Sequence, residues 1–509
     1  MMSASRGGLW PGLLILLASW ALLIWQLSER SLWIDEFDTY QMIQGSVADT
    51  VRAARNDIHP PLYFLALHGW MRLAGPSDFA LRWFSTACAI VGLPLLIVVA
   101  RQWGNRRAAV PAMLLLGFSP AFIEFSRMAR YYSLLLFLSL LSTALLFIAL
   151  RQKQWITWIA YGLASLAILL TFYPGAIVPV AQGLLIIWPA SRQVFFRRWL
   201  VLMLALSLVF LPWFLFATTS QVPAVSAFTT ADFARSGLGF VLGLATAAYT
   251  FSVGETLFPW HPAAWLGLVA VGVLLVAGLL RKGSGHSRWQ SGGLCLAGIV
   301  VISVTTTFVA TGTPFINVPV RGLFALPYFL IILAAGWVSL ASGKLKWLIG
   351  GLLCLAWGAS LVNDFRGEQF LNPIYLTPAK EAALFVSARA APGDLVISDY
   401  DSVFGHYYLS GPRPAAQLYT ADLPDIQTTL HDQPPARIWL VTIGRDRTRG
   451  LESNITTIHQ WLDPAYYLQD TYPYVPIDPL YHRLKDWILR RTSYDYRLTI
   501  EVYAHVLSP

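Results

Sequence analysis

Apolar runs of about 20 residues recur through the first 362 positions, separated by short polar clusters; beyond that the chain shifts to short mixed segments. A run of that length is what an α-helix needs to cross the hydrocarbon core of a bilayer. This criterion predicts spans at about 9–27, 79–100, 108–125, 131–150, 155–172, 174–190, 199–217, 262–280, 290–311, 322–342 and 345–362. The first run is long and no small-residue cleavage site follows it, so it reads as an uncleaved anchor. One more apolar stretch, 237–253, is short and rich in Gly and Ala, and reads as a re-entrant or interfacial helix.

Composition agrees with the pattern. The 509 residues are 56% apolar and only 12% charged, against about 25% charged in an ordinary soluble domain. Mean hydropathy is +0.55. This composition excludes a disordered chain and argues against a soluble globular enzyme. The 21 Trp and 21 Tyr suit side chains that settle at membrane–water interfaces.

Charge then orients the spans. Residues 1–362 carry 23 Lys/Arg and 10 Asp/Glu, whereas 363–509 carry 13 and 17, so a basic body of net +13 precedes an acidic tail of −4. With the N-terminus inside, Arg101/Arg106/Arg107, Arg151/Lys153, Arg192/Arg197/Arg198, Arg281/Lys282/Arg288 and Lys344/Lys346 fall in cytoplasmic loops, as the positive-inside rule requires. All ten acids of the body then lie on the other side, and the tail with them. A pI near 9.4 suggests nucleic acid in principle. Basic residues scattered between apolar spans make no such patch. Cys88, Cys295 and Cys354 sit in apolar runs as small packing groups, without metal or disulfide spacing.

The tail reads as one α/β domain over 363–509. Thr377-Pro378-Ala379-Lys380-Glu381 opens a helical pattern through Ala391, with Thr377 expected as N-cap and Pro378 at the first helical position. Strands are expected at Leu395–Ser398, Arg437–Thr442 and Tyr496–Val506. Asp399-Tyr400-Asp401 and His406-Tyr407-Tyr408 read as a strand end and a domain surface, and the Asn454-Ile455-Thr456 sequon as incidental. No internal repeat is visible.

Candidate chemistry lies in the outward loops. Asp35, Glu36 and Asp38 place three carboxylates in four positions just past the first span. Neighbouring like charges raise one another's pKa, which is unfavourable without a use. A carboxylate there suits a general base for a hydroxyl nucleophile, or a hard oxygen ligand for Mg²⁺ or Mn²⁺. A solvated acidic loop is the plainer alternative. Further on, Asp57-Ile58-His59-Pro60-Pro61-Leu62-Tyr63 holds His59 out of the helical region ahead of two prolines. A stiff loop with a surface histidine explains that segment alone, and 62–73 reads as an amphipathic helix along the interface. Glu124, Arg127, Arg130, Tyr131 and Tyr132 follow in 119–134. If a helix starts there, Arg127 and Arg130 share a face. Their forks suit a phosphate, with the tyrosines lining a groove; pairing with Glu124 or snorkelling serves equally well. Arg321, at another outward helix entrance, carries the same two readings.

Together these pieces resemble the GT-C superfamily of membrane glycosyltransferases, in the branch of protein O-mannosyltransferases, lipid A aminoarabinose transferases and rhizobial galacturonosyltransferase-like enzymes. The resemblance rests on Asp35-Glu36, His59-Pro60-Pro61-Leu62-Tyr63, Arg82 in Leu81-Arg82-Trp83, Arg130-Tyr131-Tyr132-Ser133-Leu134 and Arg321, in order over residues 1–362. It implies an α-helical polytopic protein of GT-C type, with about eleven spans and an extracytoplasmic α/β domain. Asp35 would be the general base, with Glu36 beside it. Arg130 and Arg321, with Arg127, Tyr131 and Tyr132, would hold the phosphate of a polyprenyl-linked sugar donor. His59, Pro60, Tyr63, Asp38 and Glu124 would line the substrate pocket. Relatives commonly show Glu-Ala-Arg where this chain has Met128-Ala129-Arg130, so a second carboxylate is omitted or comes from Glu124 or Asp38. The branch is metal-independent, although Asp35, Glu36, Asp38 and His59 leave room for one divalent cation.

Elementary chemistry supports that mechanism. Nucleotide sugars are not expected outside the membrane, so an activated sugar has to arrive on a lipid. A polyprenyl phosphate leaves readily once its charge is stabilised, without a general acid. In-line attack would invert the anomeric carbon. The expected activity is therefore transfer of a sugar from a polyprenyl phosphate to a hydroxyl of a glycan, lipid or protein acceptor, at the outer face of a bacterial inner membrane. Two other classes compete. A transporter or flippase of lipid-linked sugars would show repeats and midplane ionisable residues, which are not seen here. A non-catalytic envelope-glycan assembly protein would work through its tail.

Overall fold

The computed structural model describes residues 9–102, 106–187, 193–228, 237–280, 319–368, 371, 373–398, 403–410, 415–443, 452–474 and 498–506. The chain divides into two compact units, Met1–Leu27 with Thr39–Val362, and Ser28–Asp38 with Asn363–Pro509.

The described part of the first unit is helical. In chain order the helices are α1 (Leu9–Ile24), α2 (Ile34–Met42, its first half in the second unit), α3 (Val47–Asn56), α4 (Leu62–Ala74), α5 (Asp78–Gln102), α6 (Ala109–Phe118), α7 (Pro120–Ser126), α8 (Tyr132–Gln152), α9 (Trp155–Thr171), α10 (Ile177–Ile187), α11 (Gln193–Phe228), α12 (Gly237–Val253), α13 (Pro262–Leu279), α14 (Leu326–Ser339) and α15 (Gly343–Arg366). A 3₁₀ turn at Tyr173–Ala176 and a seven-residue 3₁₀ helix at Pro319–Ala325 lead into α10 and α14. By length and apolarity six described helices suffice to cross a bilayer, or seven if α6 and α7, bent by 56°, form one span. This is an integral membrane protein. The expected spans fall on helices, except 290–311, which lies outside the described residues.

Part of the expected second outer loop is helical. Residues 120–126 form α7, and every one of them is buried. Ser119 is extended and Pro120 takes the first helical position, where its missing N–H costs nothing. The same missing donor ends the hydrogen-bond ladder of α6, so the chain bends there. Arg127–Tyr131 then forms the turn before α8, so Arg127 and Arg130 do not share a helix face.

Apolar packing gives little specificity inside a membrane, because lipid tails are as apolar as leucine. A buried polar network supplies it. Gln182 Oε1 accepts from Ser142 Oγ at 3.1 Å and Tyr161 OH at 3.0 Å, while Nε2 donates to Thr143 Oγ1 at 3.0 Å. Tyr328 OH lies 2.6 Å from Thr143 Oγ1, and Trp199 Nε1 donates to Tyr161 OH at 3.1 Å. One amide thereby joins α8, α9, α10, α11 and α14. Elsewhere α13 and α14 cross backbone to backbone at Gly278 and Gly336, where a Cβ on Gly336 would overlap the carbonyl of Leu274.

The second unit holds a five-stranded sheet in the order β2-β1-β3-β5-β4. Its elements are α16 (Ala379–Arg389), β1 (Leu395–Ser398), α17 (Val403–Ser410), β2 (Ala416–Tyr419), α18 (Leu423–Asp432), β3 (Arg437–Ile443), α19 (Glu452–Leu462), β4 (Tyr466–Tyr474) and β5 (Leu498–His505). β1 runs parallel to β2 and β3, whereas β5 is antiparallel to β3 and β4. Leu395, Ile397, Ile438 and Leu440 meet Ile426 and Ile458 of the helices in its core. The three expected strands are present. β2 and β4 were not expected: β2 has four residues, and β4 is an edge strand with Pro473 and no clean alternation.

Ser28–Asp38 is built into this unit. Arg30 Nη1 bonds Asp364 at 2.9 Å, Leu32 N donates to Tyr407 OH at 2.9 Å, and Lys380 Nζ donates to the Ser28 carbonyl at 2.8 Å. Ser31 Oγ accepts the Lys380 N–H at 2.8 Å and donates to Glu381 at 3.0 Å. The expected cap of α16 is corrected here. Pro378, not Thr377, occupies the N-cap position and makes no side-chain cap bond. The hydroxyl that satisfies an open helix donor comes from Ser31, 349 residues away in sequence.

Replacing Gln182 by Leu leaves Thr143, Ser142 and Tyr161 without that amide partner. The variant should lose about 1–3 kcal/mol of stability, read as a lowered unfolding temperature in detergent. An unchanged temperature would deny the amide its bracing role.

Candidate functional site

The acidic motif opens α2. Glu36 is buried, and its Oε2 accepts the Trp33 N–H at 3.3 Å, a cap on the helix's own first turn. Asp35 is half-buried and Asp38 exposed. Carboxylates in a first turn are favoured by the helix dipole. Asp35 and Thr39 stand four residues apart on this helix, and such residues share a face.

The chain that leads into the motif is clamped. Arg82 Nη1 donates to the Leu27 carbonyl at 2.9 Å, and Arg127 Nη2 donates to the carbonyls of Trp25 at 2.7 Å and Gln26 at 3.1 Å. Both side chains are buried. The backbone turns left-handed at Gln26, with φ of 52°. Two guanidinium groups thus hold three successive carbonyls past the end of α1. Arg127, expected at a phosphate, sends a terminal nitrogen to this clamp.

Arg130 lies in the turn between α7 and α8 and is buried, at 5% exposure. Its Nη1 donates to Thr39 Oγ1 at 2.9 Å, and its guanidinium carbon stands 5.7 Å from the centre of the Tyr131 ring. Its carbonyl accepts from Ser85 Oγ at 3.0 Å, and Ser85 lies 2.9 Å from Tyr63 OH. A carbonyl only accepts, so the Ser85 proton is committed to Arg130 and Tyr63 donates to Ser85. Tyr63 therefore braces the turn that carries Arg130.

Around that turn an aromatic wall encloses His59. Its ring centre lies 4.9 Å from Tyr131 and 6.1 Å from Phe172, and Tyr131 stacks on Phe172 at 4.6 Å. Tyr132 meets Tyr131 edge-on at 4.7 Å. His59 and Pro60 are buried, because the two prolines stop the chain from turning helical until α4 starts at Leu62. His59 Nδ1 lies 2.9 Å from Asp57 Oδ2. A surface histidine is thus corrected to a buried one. Arg321, half-buried in its 3₁₀ turn, acts electrostatically on the same imidazole. Glu124 is buried on α7.

Electrostatics couple the cluster. Burial presses the His59 pKa below its ordinary value, opposed by Asp57 and reinforced by the positive charges of Arg130 and Arg321. Burial alone would raise the Asp57 carboxyl; His59, Arg130 and the Ile58 N–H outweigh it and bring it to about 2. Among the described residues no three His, Cys, Asp or Glu side chains are grouped to hold a metal ion, and Asp35, Glu36, Asp38 and His59, which left room for one, form no such group.

Asp57, Thr39, Ser85 and Phe172 were not singled out for the site. Asp57 alone left a local signal, two positions before His59; the others are ordinary residues brought there by tertiary packing. In the second unit, His406 and Tyr407 lie on α17 rather than on a bare surface: His406 packs 5.4 Å from Phe37, and Tyr407 accepts from Leu32. Asp399–Asp401 lies outside the described residues.

Comparison with known proteins shows where the likeness lies. Residues 58–216 match the family model of dolichyl-phosphate-mannose-protein mannosyltransferase. Among solved structures the chain is similar to ArnT from Cupriavidus metallidurans in the apo state, at 12% identity over 98% of both chains with a TM-score of 0.54. It is similar to the same protein bound to undecaprenyl phosphate, at 13% identity over 98% of both chains with a TM-score of 0.52. No curated protein matches the chain. The fold is therefore that of ArnT, and the resemblance seen in the sequence is borne out as a likeness of fold, with the family match confined to residues 58–216.

The Asp57 carboxyl titrates lower folded than its ordinary value of 3.8. Its contribution to stability is therefore complete above about pH 4 and lost as pH falls through about 2, on the order of 2 kcal/mol. The lowered His59 works in the same direction below its ordinary 6.5, because the unfolded state then binds the extra proton. Asp57→Asn should flatten the acid limb of unfolding temperature against pH; an unaltered limb would contradict the assignment.

Proposed function

We propose that the protein is an inverting glycosyltransferase that moves a sugar from a polyprenyl-phosphate donor to a hydroxyl acceptor at the outer face of the membrane, in a bacterial inner membrane with its N-terminus cytoplasmic. The observation that carries this reading is the buried Arg130 in an aromatic-walled turn beside His59, an imidazole on which both Arg130 and Arg321 act electrostatically. Burying a guanidinium in an apolar helical body is costly unless it is paired and bonded. A lipid-borne phosphate is a partner such a place suits, and the fork geometry of arginine matches its oxygens. The family match spans His59 and Arg130, and the ArnT structure similar to this chain is one with undecaprenyl phosphate bound.

In the proposed reaction Asp35 takes the proton of the acceptor hydroxyl as its oxygen attacks the anomeric carbon. The bond from that carbon to the phosphate oxygen breaks, and Arg130 and Arg321 stabilise the charge that develops there. Glu36 holds the first turn of α2 through Trp33. Arg127 and Arg82 anchor the preceding backbone, and Tyr63 braces the Arg130 turn. Tyr131, Tyr132 and Pro60 shape the donor pocket, while Asp38 and Glu124 are candidates for acceptor contacts. A glycan, lipid or protein acceptor each fits this chemistry. No metal is required by it, and a divalent cation fits only as an auxiliary charge.

Removing the tail would strip Ser28–Asp38 of Tyr407, Glu381 and Lys380, so point variants test the reading better. Asp35→Asn should lower turnover by about 10²–10⁴-fold with normal membrane insertion. Arg130→Lys, which keeps charge but loses the fork, should lower kcat/KM by about 10–100-fold. Both are measured as sugar transferred from a radiolabelled polyprenyl-phosphate donor. Near-normal turnover of Asp35→Asn would remove the base assignment.

A further inference from the structure

The Asp57–His59 pair has no part in the transfer step as written, although His59 is buried, Asp57 is half-buried, and both arginines act on the imidazole. His59 packs against the turn before α8, the end of α9 and the loop before α4. Among the described residues the charged and titratable groups that act on it or pack against it are Asp57, Arg130, Tyr131 and Arg321, and Phe172 supplies the apolar side. A carboxylate only accepts hydrogen bonds, so the 2.9 Å contact fixes a proton on Nδ1 and leaves Nε2, on the far edge of the ring, as the site where a proton is gained or lost.

Resting on the reading that Arg130 and Arg321 bind the donor phosphate, we propose that His59, held by Asp57, takes up one proton from solution when a phosphate monoester dianion occupies those arginines. The charge arithmetic of the reaction supplies the reason. The sugar donor is a phosphodiester with one negative charge. Breaking the sugar–phosphate bond leaves a monoester that carries two above its second pKa of about 6. With one charge present, two guanidinium groups and a neutral imidazole suffice. The second negative charge makes a third positive one favourable, and Nε2 is where it forms; Asp57 stabilises the resulting imidazolium through Nδ1–H. The proton comes from water and returns to water when the lipid phosphate departs. The proton lost by the acceptor hydroxyl goes separately to the carboxylate base. His59 then serves to hold the product phosphate, and its release is linked to deprotonation.

The test is calorimetric binding of a short-chain polyprenyl monophosphate to the full-length protein in detergent near pH 8, in two buffers of different ionisation enthalpy. At that pH the free ligand is already a dianion, and arginines favour that form, so net proton uptake reports a protein group. Wild type should take up protons, and its affinity should weaken with rising pH by up to about tenfold per pH unit. His59→Gln should bind without uptake and with a flat pH profile, and Asp57→Asn should bind with reduced uptake. Binding by wild type with no proton uptake, or uptake that survives in His59→Gln, overturns the coupling and leaves the phosphate reading standing. Failure of wild type to bind the monophosphate overturns both.

Discussion

An arginine taken out of water inside a membrane protein has to be paid for by its neighbours, and the first unit is arranged around three of them. Arg82 and Arg127 spend terminal nitrogens on the open carbonyls of residues 25–27, and Arg130 reaches Thr39. The first two are structural in effect. They satisfy backbone that the end of α1 leaves open, which hydrocarbon would otherwise leave unbonded. The third stands against the Tyr131 ring beside a buried histidine, on which Arg321 also acts. Its place in a turn, rather than inside a helix, leaves its guanidinium among side chains instead of lipid.

The two units share one logic at different scales. In the first, a single amide at Gln182 joins five helices, because polar contacts give the register that apolar packing in lipid does not. In the second, a hydroxyl at Ser31 caps α16, and the Tyr407 hydroxyl receives the Leu32 N–H. The segment that carries the acidic motif is thus anchored at its start by the arginine clamp on 25–27 and along its length by partners from the tail.

Much of this was legible in the sequence. Spans of 20 apolar residues announce helices because a bilayer rewards nothing else of that length, and the motif pairs Asp35-Glu36 and Arg130-Tyr131 stood out against the apolar background. Other features were hidden for physical reasons. Ser119-Pro120 carries a helix-start signal, but apolarity alone reads 108–125 as one run and does not mark the bend. The cap of α16 comes from Ser31, and no local rule finds a partner hundreds of residues away. Thr39, Ser85 and Phe172 have no sequence signature of function and gain a role only through packing. Asp57 was visible beside His59, yet burial alone turned the two from loop residues into a coupled pair.

The central claim is that Arg130 and Arg321 receive a lipid phosphate. Its most direct test is an experimental structure of the protein with a non-hydrolysable polyprenyl-phosphate sugar bound. The account predicts phosphate density within hydrogen-bond reach of both guanidinium groups, with the Asp35 carboxylate on the far side of the anomeric carbon. Phosphate density bound elsewhere, with Arg130 still bonded only to Thr39 and its protein neighbours, would contradict it.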